Sequence, residues 1–186
     1  MKISVVGTGY VGLSLAVLLS QKYKVIALDI SKERVKNIKN RISPIKDIEL
    51  ENYFKKKDFS LIATLDKKEA YSDSEYVIIA TPTNYDISTG SFDTSSVEEV
   101  ISDIISINRK STIIIKSTIP LGFTDQMKNK FDKKNIFFSP EFLRESKALY
   151  DNLYPSRIVV GDTTKNAKLF GKMLIECSKK SQEEVP

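Results

Sequence analysis

The sequence predicts a doubly wound α/β domain, a mostly parallel sheet with helices on both faces, and three observations carry that expectation. Short runs rich in Ile and Val recur along the chain, longer segments with helical spacing separate them, and the short runs are continuously apolar rather than alternating. Continuous runs mark strands covered on both faces, and strand-helix alternation builds parallel units.

In chain order, residues 3–6 form the first strand-length run and lead directly into Gly7-Thr8-Gly9-Tyr10-Val11-Gly12 and a helical segment over 13–21. Residues 24–28 form the second, closed by Asp29 and followed by a helical segment over 31–39. Further runs lie at 60–63, 76–80, 112–115, 136–138 and 157–160, with helical spacing over 97–105 and 121–131. The stretch 84–93 is polar and reads as a surface loop whose Asp93 can cap the helix after it.

A chain of 186 residues suits one α/β domain with a buried core, and it is short for an enzyme with a separate substrate domain. The charged last stretch, Lys179 to Pro186, stops just where an apolar element would be expected to begin, so a longer polypeptide is expected. The apolar run at the amino terminus is too short for a secretory signal and no stretch could span a bilayer, which predicts a cytoplasmic protein without membrane contact.

One cysteine and no histidine exclude an internal disulfide and a Cys/His zinc site. Proton transfer, if the chain takes part in any, must use other groups or sequence not present. The net charge of +5 invites a nucleic-acid reading, but the lysines are interleaved with acids, as in Lys55-Lys56-Lys57-Asp58 and Asp132-Lys133-Lys134. A solvated surface explains them, and no nucleic-acid partner is expected.

Gly7, Gly9 and Gly12 form a GxGxxG pattern, which alone is weak evidence. Here it follows a strand, opens a helix, and has Asp29 at about the twenty-residue interval of a ribose-binding acid. In this dinucleotide-binding (Rossmann-type) arrangement Gly7 allows the tight turn, Gly9 lets the backbone approach a pyrophosphate, and Gly12 lets helix and strand pack closely. The helix amino terminus then faces the phosphates. A carboxylate at Asp29 can accept from both adenosine ribose hydroxyls and repels a 2′-phosphate, which favours NAD over NADP. Arg34 can stack on adenine or contact ribose, or can be an ordinary exposed helix arginine.

Ligands of an open parallel sheet sit at the carboxyl ends of its strands. Three runs end in polar groups there: Thr81-Pro82-Thr83-Asn84, Lys116-Ser117-Thr118-Ile119-Pro120, and Ser139-Pro140-Glu141-Phe142-Leu143-Arg144-Glu145. Singly these have plainer roles. Thr118 can cap a strand end, Glu141 and Glu145 can be helix-start acids, and Arg144 can be an ion-pair arginine.

Together these segments resemble the UDP-glucose/GDP-mannose dehydrogenase family, and most closely its bacterial UDP-glucose 6-dehydrogenases. The resemblance runs in order through the glycine turn, Arg41-Ile42-Ser43-Pro44-Ile45, residues 80–86, Phe92-Asp93-Thr94, residues 114–124 and residues 139–160. Ser146 departs from it, standing where many relatives have glycine.

The resemblance implies that the whole of 1–186 is the amino-terminal NAD-binding domain, with a central helix and a carboxyl-terminal UDP-binding domain beyond it. It implies a two-step oxidation of the sugar C6 alcohol of UDP-glucose to a carboxylate with two NAD reduced, through a cysteine thioester that water hydrolyses. It assigns Gly7, Gly9, Tyr10, Val11, Gly12, Asp29, Arg34, Thr83, Thr118 and Glu145 to the cofactor. Glu141, Phe142, Leu143, Arg144 and Glu145 fall in the substrate strip, and Thr118 with Glu145 holds the hydrolytic water.

Cys177 is not the implied nucleophile, because Phe170, Met173, Leu174 and Cys177 fall on one helical stripe that should be buried. The chain alone is therefore expected to bind NAD without oxidising the sugar. The full-length protein is expected to be a homodimer and this chain monomeric. Two rivals remain at this point: a dehydrogenase of UDP-N-acetylmannosamine or GDP-mannose, and a non-catalytic NAD-sensing module. The tyrosines at 150 and 154 favour UDP-glucose over the first, and the Thr118 and Glu145 pair argues against the second, since a sensor needs no hydrolytic water.

Overall fold

In the computed structural model, which describes residues 1–55, 60–87 and 90–186, six of the seven apolar runs pair into one sheet. Its strands are β1 (Lys2–Val6), β2 (Lys24–Leu28), β3 (Leu61–Thr64), β4 (Tyr76–Ile79), β7 (Thr112–Ile115) and β8 (Ile136–Phe138), and all pairings are parallel. The spatial order is β3-β2-β1-β4-β7-β8, so the order reverses between β1 and β4. A separate two-stranded hairpin, β5 (Tyr85–Asp86) and β6 (Ser91–Phe92), occupies part of the polar loop, whose Ser88 and Thr89 lie outside the described residues. Lys56, Lys57 and Asp58 of the basic cluster lie outside them too.

The helices are α1 (Tyr10–Ser20), α2 (Lys32–Lys39), α3 (Ile48–Lys55), α4 (Lys67–Tyr71), α5 (Ser95–Asn108), α6 (Phe123–Lys130), α7 (Ala148–Leu153) and α8 (Lys165–Cys177). Alternate strand residues divide the core into two layers. Ile3 and Val5 pack with side chains of α1, α2, α3, α7 and α8, and Val6 with Ile79, Ile115 and side chains of α4, α5 and α6. Burying one Ile or Leu of this kind stabilises the fold by about 2 kcal/mol, so both faces must be covered for the sheet to persist. Helix α1 is buried almost all round because it packs on the sheet, on α7 and on α8.

Asp47 joins three parts of the first layer. Its carboxylate accepts the Leu50 N–H at 3.1 Å, capping α3, and the Leu149 N–H at 3.1 Å, at the start of α7. Asp47→Ala removes both caps and leaves two buried donors without a partner, so urea unfolding should show a loss of about 2–3 kcal/mol. A loss under about 0.5 kcal/mol, the size of an ordinary surface change, would show that water serves those donors equally well.

Two expectations are corrected. Residues 157–160 do not form a strand: Ile158 N–H donates to the Pro186 carbonyl at 3.0 Å and the Ser139 hydroxyl to the Val159 carbonyl at 2.7 Å. Its backbone partners are thus the chain end and a side chain rather than a strand ladder. Lys133 is not a solvated surface lysine. It is only 6% exposed, and its ammonium donates to the carbonyls of Arg109 (2.7 Å) and Ser111 (2.6 Å), tying down the turn that follows α5.

Candidate functional site

The glycine turn sits at the switch between β1 and β4. Gly7 has φ +91°, donates its N–H to the Leu28 carbonyl at 2.8 Å, and lies so close to β4 that an added Cβ would stand 2.6 Å from the Ala80 carbonyl oxygen. A Cβ on Gly12 would stand 1.9 Å from the Gly7 carbonyl oxygen, so α1 packs on the turn without room for a methyl group. Gly9 differs: a Cβ there meets nothing within 4 Å, and its φ of −75° suits any residue. The turn therefore leaves an open hollow above Gly9. The first turn of α1 behind it has no side-chain cap and no acidic residue, so its N–H groups and positive dipole end remain for an anion.

Asp29 closes β2 and turns toward the glycine turn. It is 7% exposed; Oδ2 accepts the Thr8 N–H at 2.7 Å and the Thr8 hydroxyl, and Oδ1 accepts the Ser31 N–H at 2.9 Å. A carboxylate offers about four acceptor positions. The remaining one is on Oδ1. Arg34, half-buried one turn into α2, brings its guanidinium to 3.8 Å from Oδ2. Thr8, a variable position of the glycine pattern, thus braces the acid, which motif reading did not single out. Ile30, 96% exposed, and the exposed Leu65 lie just past the ends of the paired strands β2 and β3. Only its place directly after Asp29 could have drawn attention to Ile30.

Beyond β4, Thr83 is half-buried on a loop held by Ser96, whose hydroxyl donates to Thr81 Oγ1 (3.1 Å) and the Pro82 carbonyl (2.9 Å). The Ser117 hydroxyl donates to the Thr81 carbonyl at 2.7 Å, which ties this loop to the segment bearing the exposed Thr118. Strands β7 and β8 are neighbours, with Ile115 opposite Phe138, so Thr118 and the 141–145 segment leave adjacent strand ends. Glu141 is exposed and not in a helix; its carboxylate accepts the Leu143 N–H at 2.9 Å. Phe142 is exposed, with the Arg157 guanidinium 5.1 Å from its ring centroid, and Leu143 is half-buried.

Arg144 is fully engaged with Asp151: Nε at 3.0 Å, Nη2 at 2.6 Å and the main-chain N–H at 2.8 Å. That fork holds the Asp151 carboxyl below the usual carboxylate range, chiefly through the Arg144 side-chain hydrogen bond. The ion-pair role weighed for Arg144 is the one seen here. Glu145 is exposed and opens a 3-10 turn, Glu145–Lys147, that packs against α1.

Lys116, the first residue past β7, stands in one of the three polar strand ends, but the sequence assigns it no role, because a lysine at a strand end is ordinarily solvated. Its residue keeps some exposure, yet protein surrounds the ammonium, which donates to Ser139 Oγ at 3.0 Å and the Pro140 carbonyl at 3.2 Å. Burial pushes its pKa down to about 8, partly offset by the Glu141 carboxylate. Below that value the lysine is charged both folded and unfolded; above it the unfolded chain still holds the proton, so the fold gains stability as pH rises. Between pH 7.5 and 9.5 the wild type should gain about 2 kcal/mol relative to Lys116→Met, read as urea midpoints at each pH. Parallel curves for the two proteins would contradict the shift.

Cys177 lies on the buried stripe of α8 with Phe170, Met173 and Leu174, and burial pushes its thiol up to about 11. Among the described residues no group of three or more His, Cys, Asp or Glu could hold a metal, and no helix is long and apolar enough to cross a membrane.

Residues 1–178 match the model of the NAD-binding domain of the UDP-glucose/GDP-mannose dehydrogenase family. The chain is 54% identical to UDP-glucose 6-dehydrogenase of Streptococcus pneumoniae and 46% identical to that of Campylobacter jejuni, in each case over all of this chain and 48% of the relative. It spans about half the length of these curated relatives. Among solved structures, GDP-mannose dehydrogenase of Pseudomonas aeruginosa, in a ternary complex, superposes with a TM-score of 0.84 at 29% identity, over 95% of this chain and 44% of that one. A UDP-D-ManNAc dehydrogenase from Pyrococcus horikoshii does so with 0.84 at 25% identity, over 97% and 46%.

Proposed function

This chain belongs to the UDP-glucose/GDP-mannose dehydrogenase family as its NAD-binding domain, and on that premise we propose that the whole protein oxidises C6 of UDP-glucose to the carboxylate, drawing its NAD site and its water-holding pair from this chain. The observation that carries the cofactor half is the hollow over Gly9, open where a methyl group would point and backed by an uncapped helix amino terminus. The pyrophosphate of NAD fits that hollow, against Gly7, Gly9, Tyr10, Val11 and Gly12. Asp29 accepts from the adenosine ribose through Oδ1, Arg34 flanks it, and the exposed Ile30 lies beside the adenine. NAD, when bound, supplies the hydride acceptor at this sheet edge.

Thr83, Thr118 and Glu145 belong to the nicotinamide side of the same edge. The Thr118 hydroxyl orients a water and the Glu145 carboxylate accepts its proton, the two tasks that hydrolysis of an acyl intermediate demands. Glu141, Phe142, Leu143, Arg144 and Glu145 form the strip that faces the sugar nucleotide. In this reading Arg144 contributes through its main chain, because Asp151 takes its guanidinium. The thiol nucleophile comes from the rest of the protein, since Cys177 is buried in α8 with its thiol protonated at neutral pH.

UDP-glucose is favoured over GDP-mannose or UDP-N-acetylmannosamine because the relatives with the higher identities are the UDP-glucose 6-dehydrogenases. Calorimetric titration of the 186-residue chain should show NAD binding and NADP weaker by about 30-fold or more, because the 2′-phosphate meets the Asp29 charge. The same chain should produce no NADH from UDP-glucose and NAD. Steady NADH formation would overturn the assignment of the nucleophile to the rest of the protein, and equal affinity for the two cofactors would overturn the role of Asp29.

A further inference from the structure

We propose that Lys116 is a positioning residue whose side chain ties the strand end bearing Thr118 to the segment bearing Glu141 and Glu145, and so holds the nicotinamide-side edge of the cleft in its binding shape. The consequence for the cofactor rests on the NAD reading above; the tether itself does not.

The Lys116 main-chain N–H donates to the Ile79 carbonyl at 2.8 Å, which fixes it to β4. Its side chain then reaches across to the next strand end, to Ser139 Oγ and the Pro140 carbonyl. Ser139 passes the connection on through its hydroxyl to the Val159 carbonyl at 2.7 Å. Lys116, through its main chain and side chain, and the Ser139 hydroxyl together link β4, β7, the end of β8 and the segment beyond α7. Thr118 lies two residues after Lys116, and Glu141 directly follows Pro140.

Packing alone does not set this edge. Lys116 lines a cavity of about 50 Å³ together with Pro140, Glu141 and Phe142 of the strip, room for a few water molecules. Glu141 is the carboxylate that acts on the ammonium, and Asp151 of α7 and Arg157 line the same cavity. Helices α1 and α8 face it with the uncharged Val11, Leu15, Leu174 and the Phe170 ring. Releasing the strip would expose Lys116 to water, where its pKa is ordinary. The lowered pKa of the tethered position therefore means that protonation favours release, and the amine holds the strip more firmly than the ammonium does. Its pKa of about 8 places that change within easy experimental reach.

The test follows amide chemical shifts and NADH fluorescence of the full chain across about pH 6.5 to 9.5. The amides of Thr118, Leu143 and Glu145 should titrate together with a midpoint near 8, and that titration should vanish in Lys116→Met. Wild-type NADH affinity should rise severalfold as pH increases through the same midpoint, while Lys116→Met binds about tenfold more weakly with a flat profile, as expected when one edge of a site is displaced. Ser139→Ala removes one acceptor from the ammonium and should move the midpoint lower, which keeps the proposal testable if the methionine variant does not fold. Silent amides, or an affinity profile of Lys116→Met parallel to the wild type, overturn the tether. Titrating amides in a chain that binds no NADH at any pH would leave the tether standing and reject the cofactor reading instead.

Discussion

Gly9→Ala should leave the domain folded, with its thermal midpoint within about 2 °C of the wild type, while NAD affinity falls by about 100-fold or more, a loss near 2.7 kcal/mol. The φ at this position is ordinary and the added methyl group touches no protein atom, so stability has no reason to change. The methyl group instead enters the hollow assigned to the pyrophosphate. Gly12→Ala supplies the contrast, because its Cβ would overlap the Gly7 carbonyl at 1.9 Å and the turn must shift. That variant should lose stability and binding together, by about 2 kcal/mol or more in urea unfolding. An alanine at position 9 that binds NAD within about threefold of the wild type, less than 1 kcal/mol, would place the pyrophosphate elsewhere.

Asp29→Ala should cost both the fold and the cofactor. The carboxylate is buried and accepts from the Thr8 N–H, the Thr8 hydroxyl and the Ser31 N–H. Removing it leaves these donors unpaired, for an expected loss of about 3 kcal/mol in unfolding free energy. NAD binding should drop below detection, since Thr8 no longer holds the glycine turn and the ribose loses its acceptor. Asp29→Asn separates the two roles: it keeps the shape and some hydrogen bonds but removes the charge, so discrimination against NADP should shrink. Unchanged discrimination in that variant would mean that Arg34 or the neighbouring backbone, and not the carboxylate, selects the cofactor.

Much of the fold was legible because six continuous apolar runs are strands covered on both faces, and period and composition report that directly. Helix α3 was missed although Leu50, Tyr53 and Phe54 fall at helical spacing, because eight residues give few repeats of the pattern. Helix α4 is five residues long and is set by the Asp66 side chain accepting from Lys68 and Glu69 rather than by periodicity. Residues 157–160 had the composition of a strand but found their partners in Pro186 and Ser139, long-range pairings that no local window contains.

The site divides the same way. Gly7, Gly12 and Asp29 could be read because each meets a conformational or chemical requirement that few residues satisfy. The bracing of Asp29 by Thr8, the Arg144–Asp151 fork and the buried Lys116 ammonium depend on which segments meet in space, and a threonine, an arginine or a lysine carries no sign of that by itself.

The most direct test of where the cofactor sits is amide chemical-shift mapping of the chain on addition of NAD. The largest changes should fall on Gly9, Tyr10, Val11 and Gly12 at the start of α1 and on Ile30 and Ser31 after β2, with smaller ones at Thr83 and Thr118. Shifts confined to the surfaces of α5 and α6, or none at millimolar NAD, would contradict the placement of the pyrophosphate on the glycine turn.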